Sequence, residues 1–298
     1  FFSAQLLIAA KGHGPRYATV GTPAKFWSTW TVREDDPSYA GEVVNRELDG
    51  IESQAIFSDF GLHRAKHTGL MESGGRMATP LDKMLVSLAR PQRMIELSRR
   101  YVLFDGPFKK IARHQQFFAV RDLLRRVEGR DAQGRREGGV VWHTQGSGKS
   151  LTMVMLAKAL AMTVRDARLV LVTDRTDLDK QIADTFRATG LEPQRARSGD
   201  HLVELVERRA AVITTVIHKF RAALSKRQFS DPGSDIFVLV DESHRSQYGD
   251  LESLHARMRE VFPKACLIGF TGTPIAKKER NTFFKFGRLV EPAYRMRD

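Results

Sequence analysis

The stretch HTQGSGKS, residues 143 to 150, gathers residue types that can hold phosphate. Gly148, Lys149 and Ser150 end the phosphate-loop pattern G-x-x-x-x-G-K-[ST], while His143 stands where that pattern opens with glycine. Gly146 and Gly148 let the backbone turn its N–H groups inward, and a following helix adds positive potential at its N-terminus. Lys149 is placed to neutralise outer phosphates, and the Ser150 hydroxyl to hold Mg²⁺. Two further groups lie downstream. In FVLVDESHRSQYG an acidic pair leaves an apolar run: Asp241 suits holding the metal through water, and Glu242 suits orienting and deprotonating an attacking water. In LIGFTGTPI, Thr271, Gly272, Thr273 and Pro274 end another run, where hydroxyls can relay the loss of a γ-phosphate; a plain strand-ending turn reads equally well.

These groups act together only if a frame brings three strand ends to one place. After about residue 138, the short apolar runs GGVVW, RLVLVTD, AVITTV, DIFVLVD and ACLIGF alternate with helical stretches. That alternation predicts a parallel sheet covered by helices, an α/β class in which ligands sit at the carboxyl ends of the strands. HTQGSGKS falls between GGVVW and LTMVMLAKALAMTV, the strand, loop and helix order that a phosphate loop requires. Upstream the texture differs. QLLIAA and RYATV flank KGHGP as a hairpin would, FWSTW follows, and from about 80 to 128 the apolar spacing turns helical, with Pro91 suited to a first helical turn. RRVEGRDAQGRREGG, residues 125 to 139, is rich in arginine and glycine and reads as an exposed loop, solvated or in touch with phosphates.

Bulk properties narrow the partners. The 298 residues suffice for about two domains, and 42% hydrophobic with 28% charged residues is an ordinary globular composition. Cys266 is the one cysteine, which excludes an internal disulfide, and no run approaches the roughly 18 apolar residues of a membrane span. A reducing, cytoplasmic setting without membrane contact is the expectation. The start, FFSAQLLIAAKG, lacks an initiator methionine and the basic flank of a signal peptide, so it reads as part of a longer chain. A net charge of +13 and a pI near 10.1 favour a polyanion, nucleic acid before an anionic membrane.

With these motifs in place, the chain resembles the superfamily 2 helicases and translocases, with DESH standing like their DEAD or DEAH. VVWHTQGSGKSLTM, VTDRTDLDKQI, DESHRSQYG and GFTGTPI are similar, in this order, to the motor (R) subunit of type I restriction enzymes. In that family a histidine opening the loop is usual, so His143 is a subtype mark; Ser243 stands where alanine is commoner. The resemblance implies a RecA-like parallel sheet between helices, preceded by a smaller α+β segment left from an endonuclease-like domain. It implies residues 1–80 as the trailing part of that nuclease domain, 81–107 as a helical connector and 108–298 as the first of two RecA-like motor domains. It assigns ATP to Gln116, Thr144, Gly146, Ser147, Gly148, Lys149 and Ser150, with Gln116 in IARHQQFFAV reading adenine. Mg²⁺ falls to Ser150 and Asp241, catalysis to Lys149, Asp241 and Glu242, and motor coupling to Thr271 and Thr273. It implies double-stranded DNA as the track, and specificity and methyltransferase subunits as partners. The nuclease chemistry of that family uses a [DE]-x-K element, and no such triplet occurs here. FFKFGRLVEPAYRMRD looks like the lead into the second motor domain, which supplies an arginine to the ATP site. The chain is therefore expected to hold half of an ATPase and to be inactive alone.

For DNA contact the loops after the second and third apolar runs are the candidates, with Arg175 and with Thr214 and Thr215; Asp177 reads equally as a helix cap. His63 and His67 share a helical spacing, but a surface pair fits better than zinc because no third ligand presents itself. Trp27 and Trp30 suit a core better than base stacking. Two rival readings stand beside the translocase: a superfamily 2 helicase that separates strands, and a non-catalytic basic DNA-binding module with a relic loop.

Overall fold

The computed structural model describes residues 6–10, 14–31, 39–59, 61–105, 108–144, 146–173, 182–183, 186–187, 192–225, 229–241, 251–272 and 286–294. Two compact units divide the chain, Phe1–Arg99 and Arg100–Asp298. Their boundary falls inside the 81–107 stretch that reads in sequence as a connector.

In the first unit, β1 (Leu7–Ala9) pairs antiparallel with β2 (Arg16–Ala18), setting Leu7 opposite Ala18. Among the described residues five α-helices follow: α1 (Tyr39–Val44), α2 (Gly50–Phe57), α3 (Gly61–Glu72), α4 (Pro80–Leu88) and α5 (Pro91–Arg100). Their starts are written in the sequence. Asp49 with Glu52, and Thr79 with Asp82, form reciprocal capping boxes that satisfy the otherwise orphaned N–H groups of α2 and α4. Trp30 is buried, donates its indole N–H to Ser87 Oγ at 2.9 Å and meets Tyr17 edge-on at 5.7 Å, so it serves packing. His63 and His67 lie on α3, and no cluster of three metal-binding side chains occurs among the described residues.

The second unit opens with an antiparallel hairpin of β3 (Val102–Asp105) and β4 (Phe108–Ile111), then α6 (His114–Glu128). A seven-stranded sheet follows, built from β5 (Gly139–His143), β6 (Arg168–Thr173), β7 (Gln194–Arg195), β8 (Val212–Val216), β9 (Ile236–Val240), β10 (Cys266–Thr271) and β11 (Leu289–Tyr294). Its order is β11-β5-β10-β9-β6-β8-β7, and every pairing is parallel. Among the described residues the helices of this unit are α6, α7 (Lys149–Thr163), α8 (Gly199–Glu207), α9 (Ile217–Leu224) and α10 (Leu251–Val261). Alternate strand residues, among them Val140, Val170, Val172, Ile213 and Val238, share a core with Leu202, Phe220 and Met258 of α8, α9 and α10. The pleat turns the residues between them to the opposite face, towards α6 and α7. This is the α/β, RecA-like arrangement that the sequence implies.

The five apolar runs became β5, β6, β8, β9 and β10; both edge strands went unread. β7 is only two residues long and polar. β11 lies in the segment read as a lead into a second domain, and the structure instead pairs it with β5. Pro292 has no N–H to give a ladder and falls where the β11 register shifts, which an edge position tolerates. The backbones also meet closely before β5: a Cβ at Gly138 would collide with the Leu267 carbonyl.

The arginine-rich stretch 125–139 is exposed from 128 to 133, as its composition predicts, but several of its arginines have partners within the fold. Residues up to 128 complete α6, and Arg130 bridges Arg136 across a turn organised by Asp131, whose Oδ1 accepts from Gln133 N–H and Arg135 N–H. Arg136 donates to Asp235 Oδ1 at 2.8 Å and to the Val127 carbonyl at 2.7 Å. Arg126 reaches the carbonyls of Arg288 and Leu289, both at 2.8 Å. Composition could not reveal these partners, because they are distant in sequence.

Candidate phosphate-binding site

The carboxyl ends of the central strands lie along one edge of the sheet. One row of the sheet runs Val140, Gly269, Val240, Val172 and Thr215 across β5, β10, β9, β6 and β8. His143 lies three residues beyond that row on β5, Thr271 two beyond on β10, and Asp241 one beyond on β9. The strand bearing Thr271 thus stands between the loop strand and the strand bearing Asp241, which are two spacings, or about 10 Å, apart. Phosphate loop, carboxylate and threonine share one edge because β5, β10 and β9 run parallel, so their carboxyl ends fall on the same side.

The loop is shaped by its glycines. Gly148 caps α7 with φ +85° and ψ +34°, a left-handed turn that L side chains rarely adopt. A Cβ there would also stand 2.8 Å from Gln116 Nε2. The Gly148 carbonyl accepts from Gln116 Nε2 at 3.1 Å, from Thr152 N–H at 3.0 Å and from Thr152 Oγ1 at 3.1 Å. Gln116 is buried, and its Oε1 accepts the Arg113 N–H at 2.9 Å, so its amide ties the first turn of α6 to the loop. Thr152 is a support that the motif-based reading missed; a threonine in the first turn after the loop was its only signal. Ser147 is buried and closes the loop as a turn, its hydroxyl donating to the Thr144 carbonyl at 2.6 Å. The Thr144 hydroxyl is buried and has no hydrogen-bond partner among the described residues.

Charge at this edge is unevenly distributed. Burial, aided by the nearby Lys149 cation, pushes the His143 imidazole down to about 4, so it is neutral at pH 7. Lys149 and Ser150 begin α7, where helix N–H groups lack intrahelical partners and favour an anion. Asp241 is 8% exposed, with its N–H held by the Val172 carbonyl at 2.8 Å. An orphaned hydroxyl, left-handed glycines, a lysine at a helix start and a carboxylate one strand beyond Thr271 fit a polyphosphate with a hard cation. By contrast Cys266 is fully buried, and its thiol is pushed up to about 12 by that burial, which leaves it chemically inert.

The remaining sequence candidates fare differently. Thr214 and Thr215 lie inside β8 with no exposed surface, and not in a following loop, so their side chains offer nothing to a DNA backbone. The error was one of register: the apolar run VITTV continues through both threonines, which β-strands accept readily. Thr271 ends β10 and is buried, with Gly272 following. Arg175, Asp177, Glu242, Ser243 and Thr273 lie outside the described residues.

The chain belongs to the SWI2/SNF2 ATPase family, whose description matches residues 115–298, from the first turn of α6 onward. Use of ATP is the property that defines this class. Within it, the relatives are endonuclease subunits of type I restriction enzymes. The chain is 35% identical over 236 residues to the HindI endonuclease subunit of Haemophilus influenzae, covering 70% of this chain and 22% of that protein. It is 31% identical to a Methanocaldococcus jannaschii protein provisionally named the MjaIXP type I restriction endonuclease subunit, over 96% of this chain and 26% of that protein. The chain thus spans about a quarter of the length of these relatives. Among solved structures, a nuclease-deletion mutant of the Type ISP restriction-modification enzyme LlaGI in complex with a DNA substrate mimic gives a TM-score of 0.45 at 16% identity, over 61% of this chain and 19% of that one. Among the described residues, no helix is long and apolar enough to cross a membrane.

Proposed function

We propose that residues 108–298 form the ATP-binding half of a motor that moves double-stranded DNA, within a subunit that assembles with specificity and methyltransferase subunits and cleaves DNA. Residues 1–80 belong in this reading to the end of a nuclease domain and 81–107 to its connector. The single observation that carries the proposal is the convergence, at one edge of one sheet, of a glycine-shaped loop ending in Lys149 with Asp241 and Thr271.

In this reading the backbone of Thr144 to Ser150 wraps the phosphates, and Lys149 neutralises the outer ones. Ser150 and Asp241 hold Mg²⁺, whose contribution is to offset charge on the phosphoryl oxygens. Glu242 orients the attacking water and takes its proton. Gln116, whose amide also bonds the Gly148 carbonyl, reads adenine, and Thr271 with Thr273 relays hydrolysis to the DNA. An arginine from a second motor domain would complete the site, which is why this half should bind nucleotide and fail to turn it over.

Calorimetric titration of Mg·ADP and Mg·ATP into the wild type and Lys149→Ala, with circular dichroism on both, tests the reading. Binding by the wild type that weakens at least tenfold in the variant supports it. Equal binding by both would remove the loop from its assigned role.

A further inference from the structure

The carbonyl of Gly148 receives more donors than the fold requires. It accepts the Thr152 N–H at 3.0 Å, which is the first bond of α7, the Gln116 Nε2 amide at 3.1 Å and the Thr152 Oγ1 hydroxyl at 3.1 Å. A carbonyl oxygen offers two lone pairs, so the backbone and Gln116 satisfy it without the hydroxyl. Thr152 is fully buried and is followed along α7 by the buried Met153, Val154, Met155 and Leu156. A hydroxyl in such a place costs desolvation that one additional bond barely offsets, and valine would fill the same space without that cost. The hydroxyl therefore contributes little to folding. What it fixes is the direction of one peptide group.

That peptide joins Gly148 to Lys149. Because it is planar and trans, its C=O and N–H point in opposite directions, so a carbonyl drawn along α7 turns the Lys149 N–H out of the helix start, towards the loop. The front of the loop is built the same way: the Thr144 carbonyl accepts the Ser147 N–H at 3.1 Å and the Ser147 hydroxyl at 2.6 Å. Both carbonyls are thus engaged within the protein, whereas a carbonyl oxygen facing a phosphate would repel it. Gly146 and Gly148, at φ +82° and +85°, have the backbone freedom to take other settings. A glycine loop keeps one setting only if side chains around it supply the rigidity, and N–H groups set in advance spare the ordering cost of binding an anion.

We propose that Thr152 is a positioning residue for phosphate: through the Gly148 carbonyl, its hydroxyl holds the Lys149 N–H on the polyphosphate, and it acts on the phosphates and not on the base. This rests on the nucleotide reading above and adds to it a side chain beyond the loop. Gln116 shares the same carbonyl but meets adenine in that reading, so a ligand without a base separates the two donors.

Calorimetric titration of Mg·ADP and of Mg·tripolyphosphate into the 298-residue chain is the test, with Thr152→Val and Thr152→Ser beside the wild type and Lys149→Ala, and urea unfolding of each. Thr152→Val should weaken both ligands by a similar factor, about threefold to tenfold, the worth of one hydrogen bond. Its urea midpoint should not fall. Thr152→Ser keeps the hydroxyl and should bind within about twofold of the wild type. Full affinity for both ligands in Thr152→Val, with binding lost in Lys149→Ala, overturns the role of Thr152 and leaves the nucleotide reading intact. Loss of Mg·ADP affinity alone would place the effect at the base, through Gln116, and overturns it too. A serine variant as weak as the valine variant would trace the loss to packing of the methyl group, and a lowered midpoint would make the hydroxyl a support of the fold; either overturns the proposal. A wild type that binds neither ligand removes the nucleotide reading and the role of Thr152 together.

Discussion

The two ends of the sheet both collect positive charge, and they handle it in opposite ways. At the amino ends of the strands, arginines are consumed inside the fold. Arg168, the first residue of β6, donates to Asp231 at 2.7 Å. Arg130 and Arg136 share Asp235, just before β9, and Arg259 donates to the Ala265 carbonyl just before β10. At the carboxyl ends, Lys149 stands at a helix start beside left-handed glycines, and further out Arg197 borders an open hollow. A fold of this kind cannot spread its charge evenly, because helix N-termini point towards the carboxyl edge and strand-starting turns need anchors at the other. Net charge alone therefore says little about where a polyanion binds. The partner of each cation decides it.

Removing the most buried anchor gives the largest expected effect. Arg168 is 7% exposed, and although burial favours protonation of Asp231, its bond to Arg168 holds that carboxyl below the usual range. Arg168→Met leaves the carboxylate without its cation, so the chain should lose about 3 kcal/mol in urea unfolding. Nucleotide and DNA affinity, measured on the folded fraction, should stay as in the wild type. Loss of binding with stability retained would break the division between the two ends.

At the carboxyl edge the corresponding burial concerns a neutral group. The unfolded chain protonates His143 near its ordinary 6.5 and the folded chain only at about 4, so the unfolded state binds the extra proton between those values. Stability present above pH 6.5 should fall as pH drops towards 4, by about 3 kcal/mol from this residue. His143→Gln should remove that part of the acid dependence. An identical pH profile in the variant would show that His143 titrates normally in the fold.

How these regions read in sequence follows from the range of the forces involved. The phosphate loop was legible because its chemistry is local: Gly146, Gly148, Lys149 and Ser150 adjoin, and β5 and α7 flank them. The five central strands were legible because parallel strands buried on both faces must be continuously apolar. What could not be read was set by distance or by exposure. Arg136 and Asp235 are ninety-nine positions apart, so the ion pair that turns a loop into an anchor leaves no local pattern. β7 and β11 sit at edges, where burial imposes too little pattern to mark a strand. Thr214 and Thr215 misled for the opposite reason: polar by type, they are held inside β8.

A smaller loss is expected at Arg136. Its side chain is 15% exposed, bonds to Asp235 and the Val127 carbonyl, and lies over the Phe237 ring at 6.0 Å. Asp235 retains Arg130 at 3.2 Å, so the carboxylate is not abandoned. Arg136→Ala should cost about 2 kcal/mol, combining a lost anchor with lost packing of the stem. The double change Arg130→Ala/Arg136→Ala should cost more than the sum of the singles, because each arginine covers for the other on one oxygen. A double-mutant cycle in urea reads this directly, and strict additivity would mean that the two do not share Asp235 in solution.

The exposed arginines at the far edge of the sheet give the smallest expected change in stability. Arg187, Arg195 and Arg197 are exposed, so the interactions they make compete with water and contribute little to the fold. Mutual repulsion even opposes them, screened to a small value at ordinary salt. Arg187→Ala/Arg195→Ala/Arg197→Ala should therefore leave the unfolding free energy within about 0.5 kcal/mol of the wild type, or raise it slightly at low salt. A loss as large as at Arg136 would make these arginines anchors like those at the amino ends, and the two edges of the sheet would then handle charge alike. No loss, or a gain that disappears as salt is added, keeps the two ends of the sheet distinct, with arginines that anchor the fold at the amino ends and solvated arginines at the far edge.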